Sequence, residues 1–109
     1  MLSFPSDARI FLYGEAMNMR RSFEGLSYIV EQVFSEDLTS GAFFAFLNRR
    51  KDRMKVLYWD GDGLAIWYKR LEKGSFRQKK NQFLMSRREF FMLLEGITPK
   101  RIQSRYNIS

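Results

Sequence analysis

NRRKDRMKVLYWDGDGLAIWYKRLEKG, residues 48–74, decides how this chain folds. Residues 53–60 and 64–71 are rich in aliphatic and aromatic side chains. They flank Asp60-Gly61-Asp62-Gly63, four residues that tolerate turn dihedrals. The stretch reads as a β-hairpin. A basic loop, residues 48–52, leads into it, and a polar basic segment, residues 72–82, leads out. Arg49, Arg50 and Lys51 are adjacent cations that repel one another, which keeps the entry loop in solvent.

The register of the hairpin decides which side chains share a face. A three-residue loop, Gly61-Asp62-Gly63 with Gly63 left-handed, sets Asp60 opposite Leu64. Met54, Val56, Tyr58, Leu64, Ile66 and Tyr68 then form a wholly apolar face to lie against helices. Lys55, Leu57, Trp59, Ala65, Trp67 and Lys69 form the outer face. A slip by one residue would mix the two sets and bury charge, so the three-residue loop is the expected one.

Working outward, AFFAFL at 42–47 is a nearly continuous apolar strand, covered on both faces or central in the sheet. RIFLY at 9–13 is a short β-prone run in which Ile10 and Leu12 share a face. Residues 22–34 have helical periodicity, with Phe23, Leu26, Val30, Val33 and Phe34 in one apolar stripe and Asn18 or Ser22 as the cap. Gly25 inside that helix allows close backbone approach to the sheet. Ser86-Arg87-Arg88-Glu89 is a capping box, with Met85 and Phe90 placed as a hydrophobic staple. Phe90, Leu93 and Leu94 give that helix its buried face, and Gly96 and Thr98-Pro99 stop it. The fold class expected is α+β: a small antiparallel meander of about four strands against two helices, in the order β-α-β-β-β-α. Residues 1–97 form the single domain, and 98–109 a basic, poorly ordered tail.

The composition suits a domain that folds alone: 109 residues, 45% apolar and 17% aromatic. Cysteine and histidine are both absent. The chain therefore lacks a disulfide framework, thiolate or imidazole metal ligands and the commonest general base. No cofactor motif is present. No apolar run approaches the roughly 20 residues that span a bilayer, and the N-terminus does not read as a secretory signal. The expectation is a cytoplasmic protein without membrane contact.

Charge is segregated. Residues 1–48 carry three arginines against six acids, a net of −3, and residues 49–109 carry sixteen cations against six acids, a net of +10. Such a distribution is the footprint of a polyanion binder. The candidate DNA contacts are Arg49, Arg50, Lys51 and Arg53 in the loop, Lys55 and Lys69 on the outer hairpin face, and Arg70, Lys73, Arg77, Lys79 and Lys80 beyond it. Trp59 and Trp67 would stack on unpaired bases or, with Leu57, form a hydrophobic patch for a protein partner. Asp60 and Asp62 are the closest acidic pair, and two carboxylates can hold Mg²⁺. The flanking glycines favour a plain turn instead, and no third acid stands at a suggestive spacing.

MRRSFEGL (19–26), the 48–74 stretch and FFMLLEGI (90–97) closely resemble the TnpB proteins, products of the second open reading frame of insertion-sequence-66 transposons. The resemblance runs in order from about Ile10 to Ile97. It implies a small accessory protein required for transposition, beside a separate transposase that carries the catalytic acids, and it brings no catalytic residues to this chain. Three functions follow as expectations. The first is a non-enzymatic DNA-binding factor acting on transposon ends or target DNA. The second is an adaptor that docks on the transposase through Leu57, Trp59 and Trp67. The third is a metal-dependent nuclease using Asp60 and Asp62.

Overall fold

A computed structural model describes residues 4–76 and 84–94. Strands β1 (Ile10–Leu12), β2 (Phe43–Leu47), β3 (Arg53–Trp59), β4 (Leu64–Arg70) and β5 (Leu84–Met85) form one open sheet in the order β4-β3-β2-β1-β5. Helix α1 (Phe23–Ile29) runs into a π-helical turn, Val30–Phe34, between β1 and β2, and helix α2 (Arg87–Leu94) follows β5. The α+β class and both helices stand as expected. The sheet is mixed, however. β1 pairs β2 in parallel because the helical crossover lies between them, and the other three pairings are antiparallel.

β2 explains the architecture. All five of its residues are buried, as the unbroken apolar run of 42–47 demands of a strand covered on both faces. Phe43, Ala45 and Leu47 face a core completed by Ile10, Leu12, Met54, Val56, Phe76 and the α2 residues Phe90, Leu93 and Leu94. Phe44 and Phe46 face a second core with Leu57 and the α1-side residues Leu26 and Val30. The α2 start follows its local code. Glu89 N–H donates to Ser86 Oγ at 3.1 Å, and Ser86 N–H donates to Glu89 Oε1 at 3.0 Å.

The hairpin register differs from the expected one. Trp59 opposes Leu64, so four residues, 60–63, make the turn. Asp60 N–H donates to Gly63 O at 2.8 Å, and the left-handed residue is Gly61 (φ 80°), not Gly63. The one-residue slip sends Ala65, Trp67 and Lys69 to the α2 side with Met54, Val56 and Tyr58. Leu64, Ile66 and Tyr68 go to the α1 side with Lys55, Leu57 and Trp59. The expected register assumed a sheet with one apolar face. Here both faces are covered, so apolar residues are needed on each. The charge burial that counted against this arrangement does occur, and it is compensated: the Lys55 ammonium donates to Met19 O and Arg21 O, and Lys69 donates to Leu94 O.

Three details of α1 also differ. Phe23 and Val33 are 44% and 45% exposed and lie outside the buried stripe, which reduces to Leu26 and Val30 with Phe34 half-buried. The wider π turn shifts the helical phase. It turns Val33 outward and Phe34 onto Phe11 and Phe44, with ring centroids 5.5 and 5.6 Å away. Gly25 leaves room for the side chain of Arg21, just ahead of the helix, rather than for the sheet. Ser22 occupies the N-cap without a side-chain hydrogen bond. The Asn18 carboxamide oxygen instead accepts from Arg20 N–H in the preceding turn. The Gly96 stop and the 98–109 tail lie outside the described residues.

Candidate nucleic-acid interface

The basic loop between β2 and β3 is a built turn. Asn48 organises it: its Oδ1 accepts from the backbone N–H groups of Asp52 (3.1 Å) and Arg53 (3.0 Å), and its Nδ2 donates to Asp52 Oδ1 at 2.6 Å. Such local side-chain to backbone bonds replace the helix or ladder bonds that the segment lacks. Lys51 takes a left-handed conformation, φ 59°. The loop's outward carbonyls are also used, since Phe76 N–H donates to Lys51 O and Leu71 N–H to Asp52 O, both at 2.7 Å. Three adjacent cations are thereby held on a fixed backbone, with Arg49, Arg50 and Lys51 exposed.

The Asn48 amide holds the Asp52 carboxyl below the usual carboxylate value, helped by the positive charges of Arg50 and Arg53. A lowered folded-state pKa means that the contribution of Asp52 to the turn is complete above the ordinary aspartate value. It is lost as the pH falls through that value toward the folded one.

A second segment meets this loop. Residues 13–17 run on beside β2, with Met17 N–H donating to Leu47 O at 2.8 Å. Beyond it, the Lys55 ammonium, on the interior strand β3, reaches Met19 O (2.7 Å) and Arg21 O (2.8 Å), fixing the backbone on both sides of Arg20. Between the two segments lies an open cleft of about 570 Å³, lined by Arg20, Arg49, Arg50, Arg53 and Tyr68 and, among the described residues, by no acidic one. No carboxylate is ion-paired with any of these four arginines among the described residues. A smaller hollow of about 380 Å³ adjoins it, lined by Arg53, Tyr68, Arg70 and Glu72.

The structure thus gathers some of the expected contacts and separates others. Arg49, Arg50 and Arg53 share the cleft, Lys51 stands exposed on the same loop, and Arg70 borders the adjoining hollow in an ion pair with Glu72. Lys55 is only 8% exposed and faces inward. Lys69 points to the α2 side. Lys73 is exposed beyond β4, and Arg77, Lys79 and Lys80 lie outside the described residues. Leu57 is fully buried, and Trp59 and Trp67 stand on opposite faces, Trp67 packed against the α2-side core. The three do not form one patch. Asp60 and Asp62 sit at the other end of β3, a seven-residue strand of roughly 20 Å, from the cleft.

Sequence reasoning missed Arg20 and Tyr68. Arg20 belongs to the acidic half of the chain, and the expected register put Tyr68 in the core. A four-residue turn would have exposed the signal, because it pairs Tyr68 with Lys55 and Arg53 with Arg70.

The architecture defines a small protein of a two-sided mixed sheet with an arginine-lined cleft at one sheet end. The family described as "IS66 Orf2 like protein" matches residues 8–104, and the chain belongs to that family of accessory, non-catalytic transposon proteins. It is similar to the uncharacterized protein y4jC of Sinorhizobium fredii (strain NBRC 101917 / NGR234), 33% identical over 98 residues, covering 87% of this chain and 84% of that one. It is also similar to the uncharacterized protein y4hO of the same bacterium, 30% identical over 76 residues, covering 70% and 66% of the two chains. No solved structure matches. Among the described residues, no helix is long and apolar enough to cross a membrane.

Proposed function

We propose that the chain is a non-catalytic accessory protein of an insertion-sequence transposon that grips DNA, at the element's ends or at its target, through the arginine cleft. It acts beside a separate transposase. The observation that carries this reading is the convergence of Arg20 with Arg49, Arg50 and Arg53. Two segments far apart in sequence bring four arginines to one concavity; none is in an ion pair among the described residues, and the one carboxylate that feels their charge, Asp52, acts on Arg50 and Arg53 alone. Bringing like charges together is unfavourable unless a polyanion neutralises them. Guanidinium groups suit bidentate phosphate contacts. Membership of a transposon protein family supports DNA as that polyanion.

The test is a salt titration of binding to labelled transposon ends and to random duplex. If about five phosphates are neutralised, the slope of log K against log salt is about −4 to −5. Replacing Arg49, Arg50 and Arg53 together with Glu is expected to abolish binding at moderate salt. Affinity unchanged by that replacement would sink the proposal.

A further inference from the structure

Among the described residues Tyr68 is the one aromatic residue that lines the cleft, and it is 48% exposed although it sits in a strand next to the α1-side core. The Lys55 ammonium stands 5.1 Å from its ring centroid, itself tethered to two backbone carbonyls. Arg53 and Arg70, paired across β3 and β4, lie on the same sheet face. Arg53 and Tyr68 are shared by the 570 Å³ cleft and the 380 Å³ hollow, so Tyr68 stands where the arginine-lined cleft meets a second hollow in which Glu72 pairs with Arg70 and leaves Arg53 as the unpaired charge.

This combination fits an unpaired strand better than a duplex. In a duplex each base is stacked on its neighbours, and the outer surface offers phosphates and groove edges to the protein. Those offer a tyrosine a hydroxyl contact at most and no base face on which its ring can stack. An unpaired nucleotide offers a free base face for the ring and phosphates for the guanidiniums, the arrangement by which single-strand binders combine stacking with a cationic groove. Both hollows have the size of small-ligand sites, which run to roughly 300–1,000 Å³.

We infer that the cleft holds an unpaired stretch of DNA, with one base stacked on Tyr68 and the flanking phosphates on Arg20, Arg49 and Arg50 to one side and Arg53 to the other, Arg70 being held by Glu72. The inference rests on the DNA-binding reading above and names the form of DNA that the site takes. Lys55 is a positioning residue: it fixes the tyrosine from beneath and the backbone around Arg20 at the same time.

The experiment compares three labelled probes by fluorescence anisotropy at one salt concentration, using the full chain. They are a short single strand, the same sequence as a blunt duplex, and that duplex with an unpaired overhang. The strand and the overhang are expected to bind about tenfold more tightly than the blunt duplex. Tyr68→Ala and Tyr68→Leu are expected to remove that margin, and Tyr68→Phe to keep it, as a stacking contact of ordinary strength requires. Thermal unfolding confirms that the variants are folded. A wild-type complex with a 5-iodouracil strand should photocrosslink at Tyr68, a readout that needs no variant. Equal affinity for strand and blunt duplex, a margin that survives Tyr68→Leu, or crosslinks that map away from β4 would each overturn the inference and leave the DNA-binding reading standing. Failure to bind any of the three probes would overturn both.

Discussion

Lys55 shows how one residue can serve the fold and the site together. Its alternation with Leu57 and Trp59 along β3 marks it as facing the α1 side, and its 8% exposure makes it the most buried charge among the described residues. A buried ammonium is costly unless its protons are bonded. Here two carbonyl oxygens take two of them, and the Tyr68 ring adds a cation–π contact. The carbonyls belong to residues 19 and 21, so the bonds that satisfy Lys55 also shape the segment that presents Arg20. Lys55→Met is therefore expected to lower the unfolding free energy by about 1.5–3 kcal/mol, the range for hydrogen bonds to a charged group. Chemical denaturation measures it. A change within about 0.5 kcal/mol, typical of a surface side chain, would contradict this role.

At the scale of the element, the β3–β4 turn determines which side chains reach the site. With four residues in the turn, Tyr68 emerges on the cleft side and Trp67 packs against the α2-side core. With three, the reverse holds. The turn's demand falls on Gly61, whose φ of 80° is left-handed, while Gly63 adopts no positive φ and has open space where a Cβ would stand. Gly61→Ala is expected to cost about 1–2 kcal/mol from backbone strain alone. Gly63→Ala should be neutral or slightly stabilising, because it removes freedom from the unfolded chain. Thermal melting of the two single variants separates the registers, since a three-residue loop would reverse their order.

At the scale of the molecule, β2 is the shared wall of two cores, and neither helix layer can be lost without exposing it. Phe44 and Phe90 are fully buried on opposite sides of the sheet. Phe44→Ala and Phe90→Ala are each expected to cost about 3–5 kcal/mol, a large part of the 5–15 kcal/mol that a domain of this kind commands. Each should do so within a single cooperative transition. Tryptophan fluorescence and far-ultraviolet circular dichroism should give coincident midpoints for both variants. A separate early transition confined to one side would show that the layers are independent.

Local signals were legible wherever neighbours in sequence are also partners in space. The Ser86–Glu89 capping box, the Ile10/Leu12 face and the two-sided burial of 42–47 needed only side chains within a few residues of one another. The arginine loop was legible too, because its charges are contiguous and have to stay in water. The family could be read from the 48–74 stretch itself. What the sequence could not decide was the phase of the hairpin. The two registers differ by one residue, and the choice depends on whether the second sheet face is covered, which is settled by α1, α2 and β2 acting together. Everything that depends on that phase was decided by the tertiary structure: Lys55 turned inward onto distant carbonyls, Trp59 and Trp67 parted to opposite faces, and Tyr68 brought to the surface. The same holds for Arg20. It shares a cleft with Arg49, Arg50 and Arg53 only because residues 13–17 run alongside β2 and carry it to the end of the sheet where the basic loop turns.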